Sequence, residues 1–277
     1  MPRQSDDMSY KTILVHLAGE AAFDSVVTPA FDLAQRFGAH VIGLSVVPPY
    51  VFKPTFLPGS NSAVGDQHRK DFADETLRLK PRFEAAARDA GVSAQWVDED
   101  AGLLPVWRRV VAYGRAADLI ITPAPKDDDA EQIVLQSGRP VLFVPEGPGR
   151  GVGKWVTVAW NARREGTRAA FDALPILATA EAVKVLWINP EDDNETEGVP
   201  TGDLCTALAR HRVPAEAVEI KAPDEKVGEA LTRFLRDSGS DLLVMGCYGH
   251  SRLREMVLGG ATRRMLASLT VPVLMSH

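Results

Sequence analysis

The chain has 277 residues, a 45% hydrophobic and 25% charged composition and a formal charge of -6. That composition is that of a globular protein with a substantial core, and the negative balance argues against a general nucleic-acid binder, which carries a concentrated basic face. Two cysteines, Cys205 and Cys247, are too few for a disulfide scaffold, the N-terminus lacks the apolar core of a signal peptide, and no apolar run reaches membrane-spanning length, so a cytoplasmic protein is expected.

In chain order, a β-rich run KTILVHL from Lys11 leads through a polar turn to an apolar-periodic helix, SVVTPAFDLAQRFG, and to a second β-rich run, HVIGLSVVPP. A long helix is expected within residues 66–90, a strand at SAQWVDE and a helix within LLPVWRRVVAYGRA. The half closes on two more apolar runs, ADLIITPAP and VLQSGRPVLFVPE. From Lys154 the order repeats. KWVTVAW leads to GTRAAFDALPILAT and then AVKVLWINP, followed by a helix near residues 204–211, a strand AEAVEI and a helix at 224–236. The closing runs are SDLLVMGCYG and MLASLTVPVLMSH.

Lys11 and Lys154 lie 143 residues apart and Pro48 and Pro190 lie 142 apart, so the two blocks run nearly in register. Runs such as Leu119–Ile121 and Leu242–Met245 suit strands buried on both faces, the habit of parallel sheets covered by helices. Strands alternating with helices predict an α/β protein of two tandem doubly wound domains. The boundaries are residues 1–146 for the first domain, 147–153 for a linker within EGPGRGVGK and 154–277 for the second.

The register breaks in one place. Asp118 and Pro140 are 22 residues apart but Asp241 and Pro272 are 31, and the extra residues fall in GCYGHSRLREMVLGGATRRML. Ligands of open α/β sheets collect beyond the carboxyl ends of strands, where Gly246 falls, and glycine lets a ligand approach the main chain. Gly259, Gly260, Ala261 and Thr262 open what reads as the last helix, whose first amides favour an anion. Residues 250–266 carry Arg252, Arg254, Arg263 and Arg264 against Glu255; the first-half counterpart PKDDDAEQ is acidic and would repel a phosphate. Read without any family, the glycines serve either phosphate binding or helix capping and tight turns.

Gly246-x2-Gly249-x9-Gly259, after the run from Asp241 to Met245 and before VPVLMSH, resembles the ATP-binding signature of the universal stress protein family. The repeat resembles its tandem form over about residues 9–277. The resemblance implies an adenine nucleotide alpha hydrolase-like fold, a five-stranded parallel sheet in the order 3-2-1-4-5 in each domain. It implies ATP, or ADP or AMP, with Mg²⁺, in the C-terminal domain of a stress-response sensor or regulatory module with at most weak ATPase activity.

Carried across, Trp160 and Asn161 approach the ribose or adenine, the Ile188 backbone meets the adenine, and Met245, Gly246, Gly249 and His250 wrap the ribose and phosphates. Gly259, Gly260, Ala261 and Thr262 hold the phosphates. Two positions depart from the pattern. Gly260 stands where the family has Ser or Thr, losing a hydroxyl worth about 0.5–1.5 kcal/mol per hydrogen bond, and Asn161 stands where an acid is usual.

The fifth strands of such domains pair, which implies an intramolecular pseudo-dimer, with homodimers through the same edges. The alternative is an interaction module that binds no nucleotide and works through the edges PVLFVP and VPVLMSH. No catalytic or metal residues are expected. Cys247 and His250 lack further ligands for a tetrahedral set, and no G-x-S-x-G elbow occurs. His16 reads as a packed strand residue, residues 191–195 as a solvated loop, and Trp107, Trp155 and Trp187 as core. Trp160, at a strand end, suits either a lid over a base or packing.

Overall fold

The computed structural model describes residues 9–49, 61–124, 129–190, 199–222, 226–247 and 271–277. The first half runs β1 (Thr12–His16), α1 (Phe23–Phe37), β2 (His40–Val47), α2 (Asn61–Asp89), β3 (Ala94–Asp100), α3 (Trp107–Gly114), β4 (Leu119–Pro123), α4 (Asp129–Ser137) and β5 (Val141–Val144). The second runs β6 (Trp155–Ala159), α5 (Arg164–Asp172), α6 (Leu174–Leu177), β7 (Ala182–Ile188), α7 (Thr201–Arg210), β8 (Ala215–Ile220), α8 (Val227–Ser238), β9 (Leu242–Gly246) and β10 (Val273–Ser276).

The strands join into one sheet, β3-β2-β1-β4-β5-β10-β9-β6-β7-β8. Each half has the order 3-2-1-4-5 counted from its outer edge, and its neighbours pair in parallel. Parallel neighbours need crossovers, which the helices supply on both faces. Alternate strand residues feed two apolar layers. One lies under α1, α2, α5, α6 and α7 and includes Ile13, Val15, Phe83, Val158, Leu177 and Val244. The other lies under α3, α4 and α8 and includes Leu14, Ile120, Ile133, Leu235, Leu243 and Met245. Each large aliphatic side chain fully withdrawn from water contributes about 1.5–3 kcal/mol.

Among the described strands only β5 and β10 run antiparallel, pairing Phe143 with Val273 and Val141 with Met275. The edges expected to pair the two halves, or to join other chains, are turned on each other inside this one. The outer edges are β3 and β8.

Two aspartates shared by the repeats fasten the strands. The Asp118 carboxylate accepts the Lys11 and Thr12 N–H groups at 2.8 and 2.9 Å. Asp241 accepts those of Gly153, Lys154 and Trp155 at 3.1, 2.9 and 3.1 Å. Each carboxylate therefore caps the entry of its half's central strand, where backbone donors have no ladder partner.

Residues 147–153 run along α1 rather than free of it. A Cβ on Gly149 would lie 2.1 Å from Thr28 Oγ1 and 2.2 Å from the Asp24 carbonyl oxygen, so only glycine passes there. Arg36 donates to the Val152 carbonyl at 2.9 Å and pairs with Asp32. Nearby, the Tyr10 hydroxyl donates to the Asp172 carbonyl at 2.7 Å, joining the halves, while its ring meets Phe37 edge-on. Burial, with Asp172 and Asp118 adding to it, pushes the phenol above its ordinary pKa and keeps it a donor.

Two expectations are corrected in detail. The helix expected across residues 166–179 is two, α5 and α6, broken at Ala173 before Pro175. Trp155 is 47% exposed rather than core, because it is the first residue of β6, beyond the cover of the layer; Trp187 is 7% exposed, as expected.

Candidate functional site

The ends of β9, β6 and β7 lie side by side in the sheet, and the expected site residues that the structure describes fall on them. Ala159 pairs with both Met245 and Leu186, which places Trp160–Asn161, Ile188 and Met245–Gly246 together at one carboxyl rim. Gly249, His250, Gly259, Gly260, Ala261 and Thr262 lie outside the described residues.

Each rim residue has a distinct setting. The Met245 side chain is 1% exposed and turned into the layer beneath α8, so only its main chain is left for the rim. A Cβ on Gly246 would lie 2.2 Å from the Glu165 carbonyl carbon and 2.4 Å from the Gly166 nitrogen. Glycine at this position therefore lets the first turn of α5 rest directly on β9, a packing reason beside the ligand reason. Ile188 is half-buried against the same layer as Met245.

Trp160 is 6% exposed and packs against Gly166 on the α5 side. Its backbone N–H extends the β6–β7 ladder to the Leu186 carbonyl at 2.8 Å, while its indole Nε1 has no partner among the described residues. A buried donor left so costs about 1–3 kcal/mol. Asn161 is half-buried, and its Oδ1 accepts the Arg163 N–H at 3.3 Å just before α5. This bond serves one of the orphan amides at the entry to the helix.

At the foot of the glycine segment, Cys247 is 2% exposed. Its N–H donates to the Ser276 carbonyl at 3.1 Å, and the His277 Nδ1 lies 3.0 Å from its carbonyl oxygen. Burial, then Glu165 and then Glu131, push the thiol above its ordinary pKa, so it is a packing residue rather than a nucleophile. Glu131 belongs to α4, so the first half contributes charge at this rim of the second.

Sequence reasoning missed Asn189. It follows Ile188 in a left-handed conformation, φ 52°, and its carboxamide grips the backbone of Ala222. The only cue is an Asn-Pro pair after a strand, and the partner lies 33 residues away.

The corresponding rim of the first half is built differently. His16 ends β1 where Ala159 ends β6, and its Nδ1 lies 3.0 Å from Thr122 Oγ1, the counterpart of Met245. Burial pushes the imidazole pKa down to about 4, so the ring is neutral and the pair closes on itself.

Comparison with known proteins agrees with this architecture. Residues 160–277 match the model of the universal stress protein family. A segment is 46% identical over 46 residues to Universal stress protein Slr1230 of Synechocystis, covering 17% of this chain and 16% of that protein. Among solved structures, a universal stress protein from Archaeoglobus fulgidus superposes with TM-score 0.72 at 13% identity, over 97% of this chain and 96% of its own. A functionally unknown protein from Pseudomonas aeruginosa superposes with TM-score 0.57 at 16% identity, over 98% and 93%. At those identities the structural likeness speaks for the fold alone. The C-terminal stretch 160–277 is therefore similar to the universal stress protein family, and the whole chain shares the fold of the solved structures.

Proposed function

We propose that the C-terminal half binds an adenine nucleotide, ATP or its ADP or AMP forms, and that the chain acts as a stress-response sensor or regulatory module. The observation that carries this reading is the shared rim. Asn161, Ile188 and Gly246 stand on three adjacent strand ends, and the glycine segment departs directly from Gly246. In this reading Trp160 and Asn161 border the ribose, the Ile188 backbone meets the adenine, and Met245, Gly246, Gly249 and His250 surround the ribose and phosphates. Gly259, Gly260, Ala261 and Thr262 supply amides to the phosphates, with the Thr262 hydroxyl.

The rim's charge bears on the counter-ion. Glu165 and Glu131 both act on Cys247 at the foot of the glycine segment. Carboxylates there oppose bare phosphates and favour a nucleotide that arrives with Mg²⁺. In this reading the chain senses rather than turns over its nucleotide, and hydrolysis is at most weak, far below the 1–10³ s⁻¹ or so of ordinary enzymes. The test is purification without added nucleotide, heat release and chromatography, with Gly259→Asp in parallel. Adenine nucleotide near one per chain, lost in the variant, supports the reading; ligand-free protein that also ignores millimolar ATP and Mg²⁺ in titration overturns it.

One observation favours an interaction module without nucleotide. Gly246 is explained by α5 alone, and Asn161 Oδ1 is already engaged by the Arg163 N–H. Because β5 and β10 are paired with each other, homodimers of such a module would join through β3 or β8.

A further inference from the structure

We infer that Asn189 is a specificity-determining positioning residue, which orients the Ile188 carbonyl toward an amino-bearing base; the inference rests on the nucleotide reading above. Three hydrogen bonds tie Asn189 to the end of β8. Its backbone N–H donates to the Ile220 carbonyl at 2.8 Å. Its Nδ2 donates to the Ala222 carbonyl at 3.1 Å, and its Oδ1 accepts the Ala222 N–H at 2.6 Å. The carboxamide thus pairs with one residue's donor and acceptor together. Asparagine is among the few residues that take the left-handed backbone at little cost, and φ here is 52°.

The consequence falls on the preceding peptide. In a trans peptide the C=O and the following N–H point in opposite directions. The Asn189 N–H is held toward β8, so the Ile188 C=O is held toward the β6 side. Two residues earlier on that side, the Leu186 carbonyl accepts the Trp160 N–H. The β6–β7 register ends at the Ala159–Leu186 pair, so the Ile188 carbonyl is aimed past the last paired residue of β6, into the rim between the two strand ends. A fixed acceptor there takes a donor, the exocyclic amino group of adenine, and opposes a 6-oxo group. The carbonyl reads the base, and Asn189 holds the carbonyl.

The test compares ATP with ITP, which differ at that group, and adds tripolyphosphate, which has no base. Affinities are measured by calorimetry for the full chain, Asn189→Gly and Asn189→Asp. Glycine keeps the left-handed backbone and removes the side-chain clamp; aspartate keeps the acceptor for the Ala222 N–H. Losing two net hydrogen bonds' worth of positioning should cut the ATP-over-ITP ratio about tenfold in Asn189→Gly and less in Asn189→Asp. Tripolyphosphate binding should stay unchanged, and thermal unfolding reports that each variant is folded. A folded variant with the parent's ratio overturns the inference alone, as does a parent that binds ATP and ITP equally. A parent that binds neither nucleotide overturns the nucleotide reading and the inference with it.

Discussion

Leu17 donates to the Leu44 carbonyl at 2.8 Å, and Trp160 donates to the Leu186 carbonyl at 2.8 Å, in corresponding places of the two halves. Ile120 reaches Pro140 as Leu243 reaches Pro272, and Ala124 reaches Val144 as Cys247 reaches Ser276. The scaffold therefore repeats to the level of single ladder bonds, and divergence begins at the carboxyl rim. There the first half has His16 bonded to Thr122, and Pro123 on the strand end. The second has Ala159 beside Met245, and Gly246 under α5. The ladder is set by apolar runs and strand-entry aspartates, which both halves kept. What a ligand would meet is set by the residues at and beyond the last ladder bond, and there they differ.

The largest effect should come from filling the contact that only the second half has. Gly246→Val places side-chain atoms against the Glu165–Gly166 backbone and should cost about 3 kcal/mol or more, read by urea unfolding. Pro123→Ala, at the counterpart position, should change far less. A tolerated Gly246→Val would show that α5 does not rest on β9 as described.

Next come the aspartates, where the halves are alike in kind and differ in count. Asp241→Ala leaves three backbone donors without their carboxylate and Asp118→Ala leaves two. Losses of about 2–3 and 1–2 kcal/mol are expected in the same unfolding assay. The reverse order would contradict the bond pattern.

His16 should give the first half a pH dependence of its own. Its folded pKa of about 4 lies below the ordinary 6.5, so the unfolded chain takes up a proton first as pH falls. Stability is then lost from about pH 6.5 down to 4, with a slope approaching 1.4 kcal/mol per pH unit. His16→Asn should flatten that stretch of the curve; an unchanged curve would assign the acid sensitivity elsewhere.

The smallest effect is expected at Trp155. Being 47% exposed at the start of β6, its change to Thr should alter stability by no more than about 0.5 kcal/mol. Trp187→Ala, at 7% exposure, should cost about 3–5 kcal/mol.

These contrasts also mark what was legible in the sequence. The strands were readable because parallel strands buried on both faces must be continuously apolar, as in Leu119–Ile121 and Leu242–Met245. Asp118 and Asp241 align the repeats in sequence, but their capping of strand entries shows only once the chain is folded. Trp155 is not legible as exposed, because an apolar residue at the first position of a strand looks in sequence like one at the third. The rim residues Trp160, Asn161, Ile188 and Met245 come from the family resemblance, and Gly246 also from its place at the end of an apolar strand. Asn189 was not readable, since its work depends on Ala222, 33 residues onward, and on a left-handed backbone that sequence periodicity does not register. The pairing of β5 with β10 was expected as a union of halves, but that it consumes both edges follows only from the sheet order.

The central claim is that two copies of one scaffold carry one nucleotide site. Calorimetric titration of the ligand-stripped full chain with ATP and Mg²⁺ measures this as a stoichiometry. The account predicts one nucleotide per chain, abolished by Gly259→Asp and kept in His16→Asn. Two per chain would place a working site in the first half as well, and none would leave the glycine segment a structural turn.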